Sequence, residues 1–157
     1  MKITCIVIGK TDEKYVQTGI QKYAQRLSHF CTFSIVEIPD IARSKKISVD
    51  EQKKKEGEVI LQKIHPTAHV ILLDQQGTQY SSIEFANKIE QFQNNAIKEI
   101  VFVIGGPYGF SNEIYSKKFQ TLSCSKMTFS HQMIRLFLLE QLYRAQTIIK
   151  GLPYHHE

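Results

Sequence analysis

The sequence contains no apolar run long enough to cross a bilayer. Stretches such as Val101-Phe102-Val103-Ile104 fall far short of the ~20 residues a helical span needs. Met1-Lys2-Ile3-Thr4 leads straight into a strand-like segment rather than an apolar run with a small-residue cleavage site, so no secretory signal is expected. Cysteine is scarce. Cys5, Cys31 and Cys124 cannot all pair, and each lies in or beside an apolar segment; they are expected as buried, reduced thiols of a cytoplasmic protein. Neither Cys-x-x-Cys nor His-Glu-x-x-His spacing occurs, so no metal site is expected. Internal repeats, low-complexity tracts and dividing linkers are also missing, and 157 residues are read as one domain, 1–157, large enough for a real core.

An early phosphate loop is absent too. The first strand-like segment ends in Gly9-Lys10-Thr11-Asp12, with a single glycine. Gly9-Lys10-Thr11 mimics the end of a P-loop, but the earlier glycine would fall at position 4, which is Thr4. Dinucleotide-binding domains and ordinary Rossmann methyltransferases place a glycine-rich turn after the first strand, and this chain does not.

What the chain does have is a basic balance: 20 lysines and arginines against 15 acids, net +5, with six histidines besides. Such a domain is compatible with a polyanionic partner, because phosphate contacts release counterions. Arg43, Lys45, Lys46, Lys53, Lys54 and Lys55 concentrate in residues 40–55, as part of an RNA-facing surface or simply as a solvated face.

Apolar spacing predicts an alternating order of elements. Strands are expected over residues 2–9, 32–38, 69–73 and 99–104, with a short one over 121–124. Helices are expected from an Asp12 cap to about residue 30, over 50–64, from a Ser81–Glu84 capping box to about 94, over 111–117 and over 131–150. Gln75-Gln76-Gly77-Thr78 reads as a turn. Strands apolar on both faces, such as Ile6-Val7-Ile8 and Val70-Ile71-Leu72-Leu73, imply an α/β fold with a parallel sheet covered by helices on both sides. In the last helix Ile134, Leu138, Leu142 and Ala145 form the core stripe. Phe137 and Tyr143 lie off it and call for another partner, which suggests a homodimer. Glu140 and Arg144 form an i,i+4 pair, and residues 150–157 form a tail with no evident core role.

Ligands of open α/β sheets bind beyond the carboxyl ends of the strands. There the glycines cluster: Ile104-Gly105-Gly106-Pro107-Tyr108-Gly109, followed by the small polar loop Leu122-Ser123-Cys124-Ser125-Lys126-Met127-Thr128-Phe129-Ser130-His131. By spacing alone the glycines fit either a tight turn or a close backbone approach to a flat ligand.

Together these segments resemble the RlmH family of SPOUT-class ribosomal large-subunit RNA methyltransferases. The resemblance rests on Ile104-Gly105-Gly106-Pro107-x-Gly109, Leu122-Ser123, Met127-Thr128-Phe129-x-His131-x-x-x-Arg135, Glu140-Gln141-Leu142-Tyr143-Arg144-Ala145 and Pro153-Tyr154-His155. Lys2-Ile3, Gly9-Lys10 and Lys55-Glu56-Gly57-Glu58 fit as well. It implies a SPOUT α/β-knot fold with a C-terminal trefoil knot, and a cytoplasmic homodimer that uses S-adenosyl-L-methionine and needs neither metal nor membrane. It also implies methylation of N3 of a pseudouridine in 23S rRNA on the assembled ribosome. Carried over by position, Leu73, Gly105, Gly106, Ser125, Lys126, Met127, Thr128, Phe129 and Ser130 would bind the cofactor. Tyr154 and His155 would be catalytic, and Arg135, Arg144 and His156 would meet the substrate.

Several roles stay open within that frame. His155 is either the base that takes the N3 proton or a phosphate or stacking contact. Tyr154 either stacks on a base or packs on the dimer surface, and His131 either caps the last helix or packs in the core, or takes part in catalysis. Arg135 and Arg144 are nine apart, hence on opposite faces of their helix, and only one can face a given ligand. His29, His65 and His69 have no motif around them. Three positions depart from the family pattern. Tyr108 replaces a polar residue, Ser130 a proline whose loss is expected to leave the loop less rigid, and His156 an arginine or lysine. The last change makes a permanent charge titratable, so RNA binding is expected to weaken at higher pH. A non-catalytic ribosome-binding protein that keeps the SPOUT fold is the alternative reading, and a flavodoxin-like nucleotide-binding domain a third.

Overall fold

The computed structural model describes residues 1–41 and 47–156. Arg43, Lys45 and Lys46 of the basic segment, and the terminal Glu157, lie outside the described residues. Ten elements follow in order: β1 (Lys2–Ile8), α1 (Lys14–Leu27), β2 (Thr32–Ile38), α2 (Val49–Lys63), β3 (His69–Thr78), α3 (Ser82–Asn94), β4 (Glu99–Ile104), α4 (Asn112–Ser116), β5 (Gln120–Leu122) and α5 (Met133–Ile149). The strands form one sheet in the order β2-β1-β4-β3-β5, and every pairing is parallel.

Strand pleating sends alternate side chains to opposite faces, and both faces are apolar here. Ile3, Cys5, Val7, Ile71, Phe102 and Ile104 meet α1, α3 and α5. Ile6, Ile8, Leu72, Val101 and Val103 meet Ile60 of α2 and Ile114 of α4 on the other side. β4 lies in the middle of the sheet, and its last five residues are buried. Burying its central Phe102 stabilises the fold by roughly 1.5–3 kcal/mol. In α5 the expected stripe holds: Leu138, Leu142 and Ala145 are buried, and Ile134 packs partly against them.

Four local expectations are corrected. Asp12 does not cap α1. Glu13 occupies the cap position with no side-chain bond, and the turn is stitched from α5 instead. Gln132 Nε2 donates to Lys10 O at 2.9 Å, and Asp12 N donates to Gln132 Oε1 at 3.2 Å. Residues 75–78 are not a turn. β3 bulges after Leu73 and continues, so that both Leu73 and Thr78 come opposite Leu122. Gly77 is needed there for close approach, since a Cβ would lie 2.6 Å from the carbonyl carbon of Leu122. Cys124 is exposed, whereas Cys5 and Cys31 are buried; all three are free. Tyr143 finds its partners in its own chain, with ring centroids 5.9 Å from Tyr23, 6.0 Å from Phe30 and 4.7 Å from Tyr154.

Candidate functional site

Where β3 bulges and β4 and β5 end, the chain leaves a cleft of about 710 Å³, within the range of small-molecule sites. Its walls follow from the sheet. Leu73, Ile104 and Leu122 are the residues at which β3 leaves its regular pairing and β4 and β5 stop, and their side chains make the apolar floor. The loop after β4 contributes Gly105 and Gly106, with exposed Tyr108 farther along it. The loop before α5 contributes Ser125, Met127, Thr128 and Phe129. Seven of the nine residues expected to bind a cofactor therefore line one cavity, while Lys126 and Ser130 lie outside its lining.

Internal hydrogen bonds fix the second loop. Ser123 Oγ donates to Ser125 O at 2.9 Å, Met127 N donates to Ser125 Oγ at 2.9 Å, and Gln75 Nε2 reaches across to Thr128 Oγ1 at 3.0 Å. Ser130 takes over the start of α5. Its hydroxyl accepts from Met133 N at 3.1 Å and its carbonyl from Ile134 N at 3.1 Å. A proline lacks that hydroxyl, so the departure from the family pattern brings a capping contact of its own.

The cleft also holds residues the sequence did not single out. Asp74 follows the floor residue Leu73. Its Oδ1 accepts from Gln76 N at 2.8 Å, and its Oδ2 accepts from the Tyr115 hydroxyl of α4. Burial, reinforced by the Asp74 bond, pushes the Tyr115 hydroxyl up to about 12, so it stays a donor at neutral pH. The signal was the position of Asp74 at the exposed end of an apolar strand run, where α/β folds place ligand contacts. His131, which the sequence had already raised as a candidate, lines the cleft as well, and burial together with nearby Arg135 lowers its pKa, which favours the neutral ring.

Arg135 lies elsewhere. It is 1% exposed, and its guanidinium donates to Ile8 O at 2.6 Å, Gly9 O at 3.1 Å, Thr11 Oγ1 at 2.8 Å and His131 O at 3.0 Å. That places it in the β1–α1 turn, as the fastener between α5 and β1, rather than on a substrate-facing surface. Arg144 points the other way, into a cluster that includes the tail. Its guanidinium bonds Glu140 Oε1 at 2.6 Å and His155 Nδ1 at 3.2 Å, and stacks 4.8 Å over the Tyr154 ring. The Tyr154 hydroxyl bonds Glu140 Oε1 at 3.0 Å and lies 3.2 Å from the Tyr23 hydroxyl. Burial first, then these partners, raises the Tyr154 pKa, while the Glu140 bond raises that of Arg144. His156 is exposed. None of Arg144, Tyr154, His155 or His156 lines the cleft, so within one chain the expected residues form two groups. Among the described residues, no group of three or more His, Cys, Asp or Glu is placed to hold a metal ion, and no helix is long and apolar enough to cross a membrane.

A family model described as "Predicted SPOUT methyltransferase" matches residues 1–155. The chain is 53% identical over 157 residues to the ribosomal RNA large subunit methyltransferase H of Flavobacterium psychrophilum, and 49% identical over 157 residues to that of Bacteroides thetaiotaomicron; in both cases all of each chain is covered. Among solved structures, it resembles a ribosomal RNA small subunit methyltransferase E from Neisseria gonorrhoeae bound to S-adenosyl methionine. The TM-score is 0.50 at 13% identity, covering 95% of this chain and 66% of that one, a likeness of fold. The flavodoxin-like reading falls away, and the chain belongs to the SPOUT methyltransferase family.

Proposed function

We propose that this protein transfers the methyl group of S-adenosylmethionine to N3 of a pseudouridine in large-subunit ribosomal RNA, on the assembled ribosome. The observation that carries the reading is the cleft. Seven of the residues that the family resemblance assigns to the cofactor converge there on one cavity of cofactor size, in a chain about half identical to large-subunit RNA methyltransferases over its full length. The basic balance of the chain suits an RNA partner.

The residues present fit the cofactor. Leu73, Ile104, Leu122 and Ile134 offer apolar surface to a flat base. Gly105 and Gly106 offer main chain without side chains, and Asp74, Gln75, Ser125 and Thr128 offer polar groups for hydroxyl, amino and carboxylate ends. When bound there, S-adenosylmethionine supplies an already activated methyl group. The work left to the protein is to hold donor and acceptor in line and to exclude water.

The tail supplies the substrate side. A guanidinium only donates, so His155 Nδ1 accepts from Arg144 and the ring proton sits on Nε2. In this arrangement Nε2 is a donor, suited to a phosphate or carbonyl oxygen, which supports the contact role for His155 over the base role. Tyr154 is held edge-on by Tyr143, with the Arg144 guanidinium over its face. Because this group does not line the cleft of its own chain, the reading includes a homodimer in which one tail completes the partner's site. Met127, Phe129 and Phe137 support it: they are 75%, 37% and 38% exposed, with the two phenyl rings 4.7 Å apart. A C-terminal knot, a single domain and a cytoplasmic location belong to the same reading. Light scattering at micromolar protein should report a dimer; a monomer would count against the shared site. Methyl incorporation into large-subunit RNA from labelled S-adenosylmethionine tests the reaction, and ribosome binding without transfer would instead favour the non-catalytic alternative.

A further inference from the structure

Two consecutive residues of α2 meet the two ends of the loop that follows β4. Gly57 packs against the start of α4, where a Cβ would lie 2.7 Å from Ser111 Oγ and 3.2 Å from Ile114 Cγ1. Glu56 meets the other end: a Cβ on Gly106 would lie 2.9 Å from Glu56 Oε2 and 3.3 Å from Oε1. Glu56 is 3% exposed, and Gln52, one turn earlier and equally enclosed, donates to its Oε1 at 2.8 Å. Gly106 lines the cleft and Glu56 does not, so the carboxyl stands behind the turn. The room a side chain at position 106 would need is taken by that carboxyl.

Burying a carboxyl is costly, and an apolar residue of similar size would fill the space at lower cost. Burial pushes the Glu56 pKa up, Asp40 adds to the rise, and the Gln52 bond opposes it. A group kept against that cost, and gripped at a fixed point by its neighbour, is suited to setting the path of the chain in front of it. We infer that Glu56 is a positioning residue for the cofactor cleft: held by Gln52, its carboxyl is the back-stop that sets the course of the Gly105–Gly106 main chain. This rests on the cofactor reading above.

The test is calorimetric titration of the full-length protein with S-adenosylhomocysteine, alongside methylation kinetics on ribosomes. Glu56→Gln keeps the shape and the Gln52 bond and should bind within about threefold of wild type. Glu56→Ala and Gly106→Ala should each weaken binding about tenfold or more, with the fold intact by circular dichroism. In the double variant the alanine at 106 no longer meets a carboxyl and should cost less than about threefold beyond Glu56→Ala. The KM for cofactor should rise while that for ribosomes stays put. Should Glu56→Ala unfold, Glu56→Asp, which draws the carboxyl back by one methylene, should weaken binding about fivefold. Wild-type affinity in Glu56→Ala or Glu56→Asp, or two single losses that simply multiply, would overturn the inference. A wild-type protein that binds no S-adenosylhomocysteine would overturn the cofactor reading, and the inference with it.

Discussion

Tyr154 sets its ring edge-on against that of Tyr143, with centroids 4.7 Å apart at an interplanar angle of 73°. The tail after α5 is thus docked on the helix it follows. Deleting residues 153–157 removes that ring contact and the bond to Glu140, and should lower stability by about 1–2 kcal/mol. The shortened protein should remain folded and bind cofactor but methylate ribosomes very poorly. Thermal unfolding and single-turnover methylation check the two halves; full activity would remove the tail from the site.

Arg135→Ala separates fastening from substrate binding. The substitution strands the carbonyls of Ile8 and Gly9 and should cost on the order of 3 kcal/mol in urea unfolding. Ribosome affinity of the protein that stays folded should be nearly unchanged. A large loss of affinity at wild-type stability would restore Arg135 to the substrate side.

Tyr115→Phe deletes the hydroxyl that bonds Asp74 and leaves its ring against Phe110. A bond to a charged group contributes about 1.5–3 kcal/mol, so freeing Asp74 should weaken cofactor binding by roughly tenfold. Calorimetry checks it, and unchanged affinity would show that Asp74 is held well enough by Gln76 N.

Glu56 gives a pH signature. Its carboxyl titrates above the usual range because burial disfavours the charged form. The contribution of the neutral acid is therefore fully present below the ordinary glutamate pKa, and is lost as pH rises through the raised value. Glu56→Gln cannot ionise there, so its melting temperature should gain on that of wild type over the window that opens at the ordinary glutamate pKa and closes at the raised one. A constant difference across that window would mean that the carboxyl titrates as in the unfolded chain.

His155→Ala tests the direction of the proton. With Nε2 as a donor, the variant should need about tenfold more ribosomes for half-saturation and turn over within a few-fold of wild type once saturated. A turnover loss of ~10²-fold or more at saturation would make His155 the base instead.

Much of this was legible in the sequence because it is written locally. Strands apolar on both faces announced the covered parallel sheet, whereas the glycine cluster and small polar loop pointed to the cleft only when joined to the family resemblance. What escaped depends on residues far apart. No local pattern says that Gln132, 122 residues from Lys10, stitches the β1–α1 turn, or that Gly77 is a glycine because Leu122 passes behind it. The family resemblance put Arg135 on the substrate side; the four protein oxygens that surround its guanidinium come together only in the fold. Tyr143 looked unpaired because its partners Tyr23 and Tyr154 come from the other end of the chain and from the tail.

The most direct measurement is methyl transfer itself. Ribosomes from cells lacking the gene, incubated with the purified protein and methyl-labelled S-adenosylmethionine, should gain one methyl group on a pseudouridine of the large-subunit RNA, located by mass spectrometry of RNA fragments. The Gly106→Ala protein should label them markedly more slowly when the cofactor is well below saturation. Ribosomes that bind the protein yet gain no methyl group, or gain it on small-subunit RNA, would contradict the account.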